Sequence, residues 1–62
     1  MKGKVKWFNV RKGYGFIEGE DGTDYFIHQS EVPEGHIDEN DSVEFDTEKT
    51  ERGLNAKNVK KI

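Results

Sequence analysis

Apolar residues fall in short runs broken by glycine, and no window repeats them at three- and four-residue spacing over a dozen positions, as an amphipathic helix requires. β-Branched and aromatic residues cluster instead in five segments that the pattern predicts as strands. These are Lys2 to Asn9, Tyr14 to Gly19, Asp24 to His28, Ser42 to Glu48 and Leu54 to Lys60. Turn chemistry separates them. Asn9 to Gly13 is a polar turn ending in glycine, and Glu20-Asp21-Gly22-Thr23 carries the Asp-Gly signal of a tight hairpin. Pro33-Glu34-Gly35 and Glu39-Asn40-Asp41 bracket a longer loop, and Glu51-Arg52-Gly53 closes the last hairpin. Ser30-Glu31-Val32 allows one helical turn with Ser30 as its N-cap. There is no repeat, linker or low-complexity stretch, so one domain is expected over 1–62.

Five short strands in a flat sheet would leave an apolar face in water. Closure into a small barrel buries one face of every strand and removes most edges. The expected inward set is Val5, Ile17, Ile27, Val32, Val43, Phe45, Ala56 and Val59, with Val10 and Ile37 as plugs near the barrel ends. The core is thin. Only 31% of the 62 residues are apolar, and a chain this small buries only about 60% of its unfolded surface. A deep catalytic cavity is therefore excluded. The chain lacks cysteine, which removes disulfides, thiolate metal sites and a thiol nucleophile. No apolar run approaches the ~18 residues of a membrane span, and the expected address is the cytoplasm.

Alternation then separates the aromatics. With Ile17 inward, Tyr14 and Phe16 point out with Glu18; with Tyr25 and Ile27 inward, Phe26 and His28 point out. Large rings and a histidine would share the outer face of neighbouring strands, and contiguous exposed aromatic area marks a binding site. Trp7 has the parity of Val5, so strict alternation puts it inside, with Lys4, Lys6 and Phe8 outside. A bulge in the first strand would reverse Trp7.

The net charge of −3 conceals a strong segregation. Residues 1–17 hold Lys2, Lys4, Lys6, Arg11 and Lys12 and no acid; residues 18–51 hold all 13 acids and only Lys49; residues 52–62 add Arg52, Lys57, Lys60 and Lys61. If the ends meet in the fold, they form a local basic face in an acidic protein. Rings interleaved with Lys2, Lys4, Lys6, Lys12 and Lys57 suit a nucleic acid. Bases stack on rings for ~1–3 kcal/mol each, whatever the sequence, while ammonium groups meet phosphates and make affinity fall with salt. In a duplex the bases are already stacked, so the ligand expected is a single strand.

At this point the motifs become specific. Lys12-Gly13-Tyr14-Gly15-Phe16-Ile17 resembles the first ribonucleoprotein motif, and Tyr25-Phe26-Ile27-His28 the second. RNA-recognition-motif domains share the first string but need two helices and a longer chain. With Gly3-Lys4-Val5-Lys6-Trp7-Phe8-Asn9, Arg52-Gly53 and Ala56-Lys57-Asn58-Val59, the chain resembles the bacterial-type cold shock proteins from end to end. The resemblance implies an OB-fold, a five-stranded antiparallel all-β barrel, binding single-stranded RNA and DNA with little sequence preference as an ATP-independent nucleic acid chaperone. It implies a stacking platform of Trp7, Tyr14, Phe16, Phe26 and His28, with Lys6, Phe8 and Lys12 beside it, and so puts Trp7 outside, against alternation. Lys4, Gln29, Arg52 and Lys57 complete the candidate set. Two departures weaken the platform. Gln29 stands where the family usually has an aromatic residue, and the segment from Pro33 to Asp38 holds none, with His36 the only substitute. Two missing stacks predict micromolar rather than nanomolar binding. Leu54 replaces the proline that commonly follows the Arg-Gly pair.

Sharper chemistries fare worse. Asp24, His28 and Ser30 share strand parity, but a row on one strand has neither oxyanion donors nor an acyl pocket. His28 and His36 lack a recognised metal-ligand spacing. Gly13-Tyr14-Gly15 begins a dinucleotide fingerprint, but Glu18 occupies the third glycine position and no helix follows. The expectation is a non-enzymatic monomer with no cofactor, metal, small-molecule substrate or membrane partner. The competing reading is a barrel whose aromatic face docks a protein.

Overall fold

The computed structural model describes residues 1–32, 37–51 and 53–62. The strands are β1 (Lys2–Asn9), β2 (Tyr14–Gly19), β3 (Asp24–His28), β4 (Ser42–Thr50) and β5 (Gly53–Lys61), with a 3-10 turn at Gln29–Glu31. The first three match their expected bounds, whereas the last hairpin is longer and tighter than expected, with Thr50 opposite Gly53. The strands close in the order β1-β2-β3-β5-β4, and β4 returns to β1. Neighbours run antiparallel except β3 and β5, which pair in parallel at Phe26 and Asn55. The all-antiparallel expectation is corrected by simple geometry: a closed ring with an odd number of strands cannot alternate direction throughout. No described helix is long and apolar enough to cross a membrane.

The core comprises Val5, Ile17, Tyr25, Ile27, Val32, Ile37, Val43, Phe45, Ala56 and Val59. Val10 is not a plug: it is 63% exposed. The Asn9 side-chain oxygen accepts the Arg11 and Lys12 N–H groups at 3.0 Å, and Gly13 donates its N–H to the Asn9 carbonyl at 2.7 Å. This Asx-type turn carries Val10 away from the barrel end. Gly13 closes it at φ 77°.

Two register shifts let a short, irregular pattern line a barrel. In β5 the shift falls opposite Glu44 and Asp46, where Lys60 and then Lys57 are their partners. Asn58 sits in the extra step at φ 52°, a left-handed conformation that asparagine tolerates. Ala56 and Val59, three apart, both face inward as a result. The Asn58 side-chain amide donates to Asp46 at 3.3 Å, and its backbone N–H points to Glu31 at 3.4 Å, tying β5 to β4 and to the 3-10 turn.

The β2–β3 hairpin is held by Asp21, which accepts the Thr23 N–H at 3.0 Å and the Tyr25 hydroxyl at 2.8 Å. These bonds hold the Asp21 carboxyl below its ordinary range, the Thr23 bond contributing most. In the opposite sense, the bond to Asp21 and then burial push the Tyr25 hydroxyl up.

Candidate functional site

Trp7 owes its position to the second register shift. Val5 pairs with Ile17, but Trp7 pairs with Phe16, so β1 spends an extra residue at Lys6 for a single step of β2. Parity reverses there. Trp7 is 40% exposed on the outer face, correcting the alternation, while Phe8 turns toward the barrel and packs half-buried against the core. Phe8 therefore departs from the outward orientation expected of it. Its neighbour across the pair is Gly15, the one residue type that lets the two backbones come so close.

The rings form one continuous patch across β1, β2 and β3. Trp7 lies 5.8 Å from Tyr14 and 5.6 Å from Phe16, centroid to centroid. Tyr14 stacks on Phe26 at 5.8 Å, and Phe16 meets Phe26 edge-on at 5.7 Å. Phe16 and Phe26 are direct cross-strand partners, as are Tyr14 and His28. Tyr14, Phe16 and Phe26 are half-buried by one another, and His28 is exposed at the end of the row.

His28, rather than Ser30, caps the 3-10 turn. Its Nδ1 accepts the Ser30 backbone N–H at 3.1 Å and lies 2.9 Å from the Ser30 hydroxyl. A backbone N–H can only donate, so Nδ1 carries a lone pair and the neutral ring bears its proton on Nε2. His28 and Ser30 thus meet rather than stand in a row, but Asp24 faces Lys6 instead. Gln29 is half-buried and donates its backbone N–H to Gly13 at 2.8 Å, which clamps the 3-10 turn to the β1–β2 turn that carries exposed Lys12.

The cations divide into two groups. The Lys6 ammonium reaches across β2 to both Asp24 oxygens at 3.2 Å. Lys57 pairs with Glu48 at 3.0 Å, and that bond, with the charges of Glu48 and Glu31, holds the Lys57 ammonium above its ordinary range. Lys4 is exposed between Glu18 of β2 and Ser42 of β4, farther along β1 from the rings. Arg52, His36 and the rest of the Pro33–Gly35 stretch lie outside the described residues. Among the described residues no group of three His, Asp or Glu side chains is placed to hold a metal.

Sequence reasoning missed the far bank of the patch. Asp24, Leu54 and Asn55 line a groove with Phe16 and Phe26. A second groove on the other side of Phe26 is lined by His28, Glu31, Asn55 and Lys57. Asn55 joins the site through the parallel closure of β3 on β5, a contact that no local pattern announces.

The comparisons agree with this architecture. The profile of the 'Cold-shock' DNA-binding domain matches residues 1–62. The chain is 48% identical over 65 aligned positions to the cold shock-like protein CspC of Bacillus cereus, covering all of both chains. It is 52% identical over 60 positions to cold shock protein 1 of Lactiplantibacillus plantarum, covering 92% of this chain and 91% of that one. The solved structure of drosophila Unr CSD456 superposes with a TM-score of 0.74 at 30% identity, over 98% of this chain and 26% of that longer one.

Proposed function

This chain belongs to the cold-shock DNA-binding domain family, and from that premise we propose that it binds single-stranded RNA and DNA on the face of Trp7, Tyr14, Phe16, Phe26 and His28. The observation that carries the reading is the continuous ring patch on the outside of a closed barrel. The core is filled from within by other residues, so these rings are not needed to complete it. Unstacked bases supply the flat apolar partners that such rings lack in water. Lys6, Lys12 and Lys57, with Lys4 farther along β1, serve the phosphates, Arg52 of the same candidate set adds a further cation, and Gln29 and the Nε2–H of His28 offer polar contacts at one end. Phe8 acts from beneath, fixing β1 over Gly15.

Such a face works without ATP. Each stacked base offsets part of the cost of holding a strand open, so weak hairpins melt by mass action. That is the action of a nucleic acid chaperone. No covalent step is involved, and a cytoplasmic monomer suffices.

The test is Trp7 fluorescence during titration with hexathymidine at two salt concentrations. Quenching that weakens with salt is the expected outcome, and Phe26→Ala should cost about 1–3 kcal/mol of binding with little loss of fold. Absence of binding by a correctly folded chain would overturn the reading. Salt-insensitive association with a protein would move the face to partner docking.

A further inference from the structure

Taking the aromatic face as a single-strand site, we propose that Glu48 is a built-in competitor for phosphate at Lys57, keeping this end of the face neutralised until a strand displaces it. Lys57 is the one ammonium lining the groove beside Phe26 and His28 among the described residues. A phosphate joining two bases stacked near those rings would need a cation at this bank.

The cation is already engaged. Glu48 sits opposite Asn55 on the β4–β5 ladder, and Lys57 is opposite Asp46, so the two are diagonal neighbours on one face. Their 3.0 Å contact puts a carboxylate oxygen where a phosphate oxygen would make the same charge-assisted bond. Glu31 approaches from the 3-10 turn as a second carboxylate, and its own position is set by the Asn58 N–H. His28 is the other titratable group lining the groove. Both partners of the pair remain substantially exposed, 41% for Lys57 and 44% for Glu48, so an incoming strand can reach them.

An exposed, single ion pair is weak enough to open. Opening it has a cost that is visible in salt. When Lys57 moves to a phosphate, the strand releases counterions, but the abandoned Glu48 recruits cations of its own. The net release is smaller than a free lysine would give. Glu48 therefore lowers affinity, flattens the salt dependence and speeds release together, which suits a protein that must let strands go.

The experiment compares hexathymidine titrations of the full chain over a salt series for wild type, Glu48→Gln, Lys57→Met and the double variant. Glu44→Gln, which removes the same charge beside Lys2 and Lys60, reports the long-range effect of net charge. The competitor requires Glu48→Gln to tighten binding by about two- to fivefold and to steepen the log–log salt slope by up to about 0.7, the full share of one phosphate contact. Glu44→Gln should do less, and Glu48→Gln should gain nothing once Lys57 is methionine. A gain that persists in the Lys57→Met background, or equals that of Glu44→Gln, overturns the competitor. So does wild-type binding that Glu48→Gln leaves unchanged, and in that case single-strand binding itself stands. No binding by folded wild type overturns both.

Discussion

Gly15 lies so close beneath the Trp7 peptide that a Cβ on it would overlap the Trp7 carbonyl oxygen and come within 2.7 Å of the Phe8 Cα. The neighbours are backbone atoms, which cannot swing aside as a side chain can. Gly15→Ala must therefore pry β1 from β2 at the bulge that turns Trp7 outward. The expected loss of stability is about 1–3 kcal/mol, the usual cost of overpacking. A urea titration read by Trp7 emission checks it, and the native emission should shift as well, because the indole environment depends on the same bulge. An unchanged midpoint and spectrum would show that the strands are not clamped there.

Asn58 provides the corresponding test in β5. Its left-handed backbone at φ 52° sets the register that makes both Ala56 and Val59 inward. Asn58→Val should destabilise by about 1–2 kcal/mol, the cost of that conformation for a residue with a crowded Cβ. Asn58→Gly should remain near wild type, losing the Asp46 bond but gaining backbone compatibility. Thermal midpoints distinguish the two, since 1 kcal/mol moves a domain of this size by about 4–8 °C.

These two bulges also explain what the sequence did and did not reveal. Val5, Ile17, Ile27, Val43 and Phe45 were legible because period two places them inward, whereas of the two plugs expected near the barrel ends Ile37 is buried and Val10 is not. Trp7 was not legible from parity, since one extra residue at Lys6 reverses it and no residue type marks a bulge uniquely. Ala56 and Val59, three apart, fit one inner face only with the Asn58 bulge between them. Asn55, Asp24 and Leu54 entered the site through β3–β5 closure, a contact between segments distant in sequence. The ion pairs of Lys6 and Lys57 were equally hidden, because their acids lie on other strands.

The Asp21–Tyr25 hydrogen bond should make stability fall at both ends of the pH scale. Asp21 is held below its ordinary range, so the folded state binds fewer protons than the unfolded one as acid is added. Its contribution is full above the unfolded carboxyl range and is lost as pH falls through the folded value. Tyr25 is pushed up, so the folded state keeps its proton longer. That contribution is full below the ordinary tyrosine range and is lost as pH rises through the folded value. Tyr25→Phe should shrink the alkaline limb, leaving the part that Lys57 contributes through Glu48, and only soften the acid one, because the Thr23 N–H still holds Asp21. Unfolding midpoints across pH check this; an alkaline limb that Tyr25→Phe leaves undiminished would assign it wholly to other groups.

Gln29 offers the most direct gain of function. It follows His28 at the edge of the ring row, half-buried, with its backbone anchored to Gly13. An aromatic side chain here would extend the row of Phe26 and His28 by one stacking surface, whereas the amide offers only hydrogen bonds to a base edge. Wild type should bind hexathymidine in the micromolar range at physiological salt. Gln29→Phe should tighten it by about tenfold, within the ~1–3 kcal/mol of one added stack. Because the backbone anchor does not depend on the side chain, the barrel should melt as before. Titration of both chains under one salt condition decides the matter. Low-nanomolar binding by wild type would mean that the missing rings are already replaced, and an unchanged affinity in Gln29→Phe would mean that the strand leaves the face before reaching this position.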